Sequence, residues 1–143
     1  MKKVLIINGP NLNLLGKRET EIYDFKSFEQ IYKELEIFAR GNNIILSYYQ
    51  SNLEGDIINK MHECMGTIDY IVLNAGALTH YSYSIFDAIK AIKIPTIEVH
   101  ITNIFAREQW REKSVISPAV LGVISGLGPA VYKLALIYIS ENK

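Results

Sequence analysis

Five short apolar runs, residues 4–7, 44–48, 70–73, 96–99 and 120–124, set the strongest limit on how this chain folds. Each is continuous rather than alternating in polarity, the pattern of parallel strands covered on both faces. Parallel neighbours cannot be joined by a tight turn and need a crossover, usually a helix. The intervening segments supply helices. Phe28, Ile31, Tyr32, Leu35 and Phe38 recur at helical spacing, opened by Ser27 and Gln30 as a capping box and stopped at Gly41. Leu53, Ile57, Ile58 and Met61 form a second helical face that ends near Gly66. Ile85, Phe86, Ala88, Ile89 and Ile92 form a third. Pro129 suits the first turn of a last helix carried by Val131, Leu134, Ala135 and Tyr138, and a shorter helical turn is expected over 105–111.

Strand and helix therefore alternate five times. Right-handed crossovers with helices on both faces make a three-layer α/β sandwich, and for a five-stranded parallel sheet the flavodoxin-like order 2-1-3-4-5 is the leading choice. At 143 residues the chain is read as a single catalytic domain spanning 1–143, and its 49% apolar content is ample for a core.

Lys+Arg and Asp+Glu balance at 15 each, which argues against a broad nucleic-acid surface but leaves room for a local cationic pocket. The one cysteine, Cys64, allows no intrachain disulfide, so a reducing, cytoplasmic setting fits. The apolar run at the N-terminus ends at Asn8, too short for a signal or membrane segment, and no membrane partner is expected.

In the order 2-1-3-4-5 the winding reverses between strands 1 and 3, and ligands bind outside the carboxyl ends of the strands there. The loops to inspect are 8–24, 74–82 and 100–114. The first is long for a strand-to-helix connection and has neither G-x-G-x-x-G nor a P-loop pattern. It carries Asn8, Asn11, Asn13, Lys17, Arg18 and Tyr23. The second places Asn74 and His80 at the mouth of a buried strand. In the third, Glu98 and His100 are two apart on a strand and project to the same side, where a carboxylate sets the imidazole tautomer and favours its charged form. A zinc site from Glu98, His80 and His100 is the weaker reading, because no close ligand spacing supports it. Arg107 and Arg111, four apart, are expected to share a helical face and to clamp a carboxylate.

Cys64 and the helix-capping Ser82 and Ser84 offer no nucleophile at this crevice. What remains is an acid candidate, His100, and a base candidate, Tyr23, with Arg18 five residues before it. Ionising a free tyrosine at pH 7 costs about 4 kcal/mol, which a nearby arginine lowers. Base, acid and arginine clamp together suit elimination or addition of water on a small carboxylate.

The blocks NGPNLNLLGKRE with Tyr23, NAGALTH, EVHITN, REQWREKS and VISGLGP, in that order, closely resemble type II 3-dehydroquinate dehydratases over essentially the whole chain. The resemblance implies a hydro-lyase of the shikimate pathway that acts on 3-dehydroquinate. It implies that Tyr23 is the base at C2, Arg18 its stabilising cation and Asn11 the holder of an enolate-steadying water. His100 would protonate the departing hydroxyl with Glu98 orienting it. Asn74, His80, Asp87, Arg111 and the pair Ile101 and Thr102 would bind substrate, with Arg107 beside them. No metal, cofactor or Schiff base is implied, and the implied assembly is a homododecamer, a tetramer of trimers. Three positions depart from the commonest family pattern: Ala75 where proline is common, Leu78 where an aromatic is frequent, and Thr102 where serine is frequent. The competing, non-enzymatic reading is a flavodoxin-like small-molecule binding or signalling module, disfavoured because the first strand ends in Asn8-Gly9-Pro10 rather than an acidic cluster.

Overall fold

Each apolar run becomes a strand and each amphipathic segment a helix in the computed structural model, which describes residues 1–17 and 26–142. The order is β1 (Lys2–Asn8), α1 (Phe28–Gly41), β2 (Ile44–Gln50), α2 (Glu54–Glu63), β3 (Tyr70–Asn74), α3 (Tyr83–Ile92), β4 (Thr96–His100), β5 (Gly122–Ser125) and α4 (Ala130–Glu141). The described strands form one sheet in the order β2-β1-β3-β4-β5, every neighbouring pair parallel. This is the flavodoxin-like order expected from the alternation of elements.

β1 shows why the runs are unbroken. Successive side chains leave opposite faces of a strand. Val4 and Ile6 pack with Phe28, Ile31 and Leu35 of α1 and Val131, Ala135 and Leu136 of α4. Leu5 and Ile7 pack with Ile57 and Met61 of α2 and Ile85 and Ile89 of α3. A polar residue at any of the four would face one apolar layer or the other. The edge strands escape this rule: β2 and β5 are only partly covered, and Val123 on β5 is 48% exposed.

The helix boundaries follow local chemistry. The Ser27 side chain accepts from the Gln30 N–H while Gln30 Oε1 accepts from the Ser27 N–H at 3.0 Å, the reciprocal capping box. Gly41 is the last helical residue, and Asn43, at φ 61°, makes the left-handed turn. Two expectations shift. The strand expected from 120 begins at Gly122, because the Val120 N–H closes a turn onto the Ser117 carbonyl. The single turn expected over 105–111 is two short 3-10 turns, Ile104–Ala106 and Gln109–Glu112, with Arg107 extended between them.

The central strands should dominate stability. Ile71→Ala, at a fully buried position of β3, is expected to cost about 2–5 kcal/mol in urea unfolding, against less than about 1 kcal/mol for Ile45→Ala on the half-exposed edge.

Candidate active site

The carboxyl ends of β1, β3 and β4 open into one cleft at the reversal of winding. Its floor is a close crossing of the loops after β1 and β3. The Gly9 N–H donates to the Asn74 carbonyl at 2.8 Å, and a Cβ on Gly9 would lie 2.6 Å from the Ala75 carbonyl oxygen. Only glycine allows that approach. Gly76 takes φ 60° directly against the Pro10 carbonyl.

On β4, Glu98 and His100 do project together. His100 Nε2 lies 2.5 Å from Glu98 Oε2. Glu98 is fully buried, yet its carboxylate is well supplied: Oε1 accepts from Ser117 Oγ at 2.7 Å and from Ser114 Oγ at 3.2 Å. A buried carboxylate needs such partners, since losing water without them is costly. The pairing assigns the proton on Nε2 and leaves Nδ1 as the ring nitrogen free for a ligand.

His80 comes from the turn Gly76–His80 after β3. Its Nδ1 is 2.8 Å from the Lys113 carbonyl, so Nδ1 carries the proton and Nε2 is an acceptor. The ring stacks on His100 at 6.3 Å between centroids and meets Trp110 edge-on at 5.4 Å. Trp110 also lies 4.1 Å below the Arg111 guanidinium, whose Nε donates to Glu108 at 3.1 Å. The loop after β4 is thus tied to the loop after β3, and the Val115 N–H donating to the Thr79 carbonyl adds a second tie.

The residues expected at the site divide into three groups. Asn11, Asn74, His80 and His100 line the cleft, with Glu98 directly behind His100. Ile101, Thr102, Arg107 and Arg111 complete its wall. Arg107, extended between the two turns, and Arg111, in the second turn, line the cleft without sharing one helical face, which corrects the expected spacing argument. Asp87 is not brought to this cleft: it is exposed on α3 and belongs to another surface of the chain. Arg18 and Tyr23 lie outside the described residues.

Sequence reasoning missed the support of these groups. Ser114 and Ser117 hold Glu98, Trp110 holds Arg111, and Tyr132 of α4 bonds both Asn8 and Asn74. Tyr132 sits at an ordinary core position in the sequence, and only the spatial meeting of two asparagines marks it. The wall therefore combines two imidazoles, two guanidiniums and side-chain amides, a set suited to a small anion bearing hydroxyls. Glu98, His100 and His80 do not converge as a metal site; among the described residues no group of three such side chains is placed to hold an ion.

Comparison with known proteins matches this geometry to a family. Residues 2–140 fit the family model described as dehydroquinase class II. The chain belongs to the class II dehydroquinases. It is 54% identical over 142 residues to a 3-dehydroquinate dehydratase of Caldicellulosiruptor bescii, covering 99% of this chain and 98% of that one. It is 50% identical over 135 residues to one from Nitratiruptor, covering 94% and 86%. The crystal structure of type II dehydroquinase from Butyrivibrio crossotus superposes with a TM-score of 0.95 at 43% identity, covering 98% of each chain.

As a class II dehydroquinase the chain shows how its departures are accommodated. Thr102 keeps a hydroxyl that accepts from Arg107 at 3.3 Å. Ala75, at φ −76°, holds the backbone angle that a proline would impose, so the turn keeps its shape. Leu78 is buried beneath the cleft in the layer with α2 and α3.

Burial holds the His80 pKa below its ordinary value, opposed by the Lys113 carbonyl and reinforced by His100 and Arg111. Protonation is then harder in the folded chain than in the unfolded one. His80 should titrate with a midpoint below about 6.5 by NMR, and its contribution should lower stability as pH falls through that value.

Proposed function

We propose that this chain is a 3-dehydroquinate dehydratase, a shikimate-pathway hydro-lyase that converts 3-dehydroquinate to 3-dehydroshikimate and water by anti-elimination through an enolate. The observation that carries the reading is the Glu98–His100 pair on the wall of the cleft, in a chain whose family and relatives bear that activity in their names.

Tyr23, as phenolate beside Arg18, removes the C2 proton of the substrate. The electrons of that C–H bond pass into the C3 carbonyl and form an enolate, steadied by a water on Asn11. When the carbonyl re-forms, the C1 hydroxyl leaves and takes a proton from His100 Nδ1. The product is a conjugated enone plus water; Tyr23 is left protonated and His100 without its Nδ1 proton, and loss of the phenol proton to solvent with uptake of one by the imidazole resets both before the next substrate reacts. Glu98 on Nε2 orients the ring and offsets positive charge on it. Arg111 and Arg107 supply planar donors for the substrate carboxylate, while Asn74, His80 and the segment at Ile101 and Thr102 hold its hydroxyls. No metal or cofactor takes part.

The working assembly is a homododecamer built as a tetramer of trimers, acting in the cytoplasm. Exposed apolar residues favour assembly: Leu121, Val123 and Tyr138 line a groove along the β5 edge. Asp87, exposed on α3, enters the substrate site only where a neighbouring copy presents it.

Purified protein given 3-dehydroquinate should raise the ultraviolet absorbance of the enone, and borohydride added with substrate should leave the rate intact. Tyr23→Phe should lower kcat by about 10²–10⁴-fold with substrate binding still measurable. An unchanged rate in that variant would place the base elsewhere.

Light scattering checks the assembly. The expected mass is about twelve times the 16.2 kDa of one chain, and a monomer would refute the dodecamer.

A further inference from the structure

The fully buried Tyr132 hydroxyl is the centre of a directional hydrogen-bond chain beneath the cleft. It donates to Asn8 Oδ1 at 2.7 Å and accepts from Asn74 Nδ2 at 3.0 Å. Asn74 Oδ1 in turn accepts from the Gly76 N–H at 3.3 Å. One member of this chain has no freedom: a backbone N–H can only donate. Gly76 therefore fixes Asn74 Oδ1 toward itself and Asn74 Nδ2 toward the phenol. The phenolic oxygen must accept there, so its single proton goes to Asn8. The arrangement costs something, because Asn8 Nδ2 is buried without a hydrogen-bond partner. Burial also raises the Tyr132 pKa above its ordinary value, so the phenol stays protonated.

We propose that Tyr132 is a positioning residue for the dehydratase: through its bond to Asn74 it sets which amide atoms that side chain offers to the substrate. With one Nδ2 hydrogen spent on Tyr132 and one Oδ1 lone pair on Gly76, Asn74 presents one donor and one acceptor to the cleft, in a fixed order. That pair fits a hydroxyl, which both donates and accepts. The proposal rests on the dehydratase reading above for the identity of the hydroxyl, and on the described hydrogen bonds for everything else.

Tyr132→Phe tests it. The ring keeps its packing against Phe28, 5.2 Å between centroids, so the fold should survive. The variant should lower kcat/KM for 3-dehydroquinate about tenfold, the size of one misaligned hydrogen bond, with the pH profile of kcat/KM unmoved. In an Asn74→Ala background the same substitution should have no further effect beyond twofold. Additive losses in the two backgrounds, unchanged kcat/KM in the single variant, or a shifted pH limb would each overturn the proposal. Should Tyr132→Phe fail to fold, Asn8→Ala removes the acceptor that directs the phenol and should give the same loss and the same dependence on Asn74.

A crystal structure of the variant separates this proposal from the functional reading. A rotated Asn74 that has released the Gly76 N–H supports positioning whatever the substrate is. An unmoved Asn74 refutes it even in an active enzyme, whereas wild-type protein inert toward 3-dehydroquinate would refute only the assigned substrate.

Discussion

A carboxylate buried in the middle of a β-sheet has to be answered from every side, and Glu98 organises this end of the molecule for that reason. It sits on β4 with no solvent access, next to apolar neighbours in sequence and in the adjoining strands. His100 satisfies one oxygen; Ser114 and Ser117 satisfy the other. Those two serines lie far along the loop after β4, so meeting their demand folds the loop back over the strand end. The return passes Lys113 against His80 and Val115 against Thr79. Arg111 lies between those anchors and the strand. One buried carboxyl group thereby holds the His100 ring, orders a loop and brings a guanidinium to the same cleft. Removing either serine would leave a lone pair of a buried charge unanswered, a heavier penalty than loss of an ordinary surface contact.

The sheet and its order were legible because the physics is local and repeated. Val4 through Ile7 cannot alternate in polarity when both faces meet apolar helices, and that absence of alternation is visible in a single row of letters. The capping box at Ser27 is equally local, needing only the residue three positions on. Glu98 and His100 were legible as a pair because strand geometry places residues two apart on one side. Each of these inferences spans a few residues and one well-defined backbone conformation.

What escaped the sequence depends on distant partners. Arg107 and Arg111 have helical spacing, yet Arg107 is extended after the turn Ile104–Ala106 and Arg111 lies in the next turn, Gln109–Glu112, so no single helix carries both. Both arginines still line the cleft, although not through the shared helical face their spacing suggested. Asp87 illustrates the opposite case. Its role came from resemblance alone, and among the described residues of one chain α3 does not line the cleft. The half-exposed β5 reads as a core strand because an exposed apolar edge and an apolar interior share one composition.

Tyr132 shows how environment assigns a tyrosine to the scaffold rather than to a reaction. Tyr132 is fully buried among α1 and α4, and its polar neighbours are neutral asparagines. A neutral donor lowers the cost of ionisation slightly, while lost solvation raises it far more, so the phenol stays protonated and acts through its orientation. A tyrosine base needs the reverse: partial access to substrate and a permanent positive charge close by. The pair proposed above for that role is Tyr23 with Arg18, five residues before it in the sequence, because an arginine stays charged when water leaves a cleft. Burial without a neighbouring charge makes Tyr132 a fixed strut below the cleft floor, whereas a tyrosine base would need a guanidinium at its side.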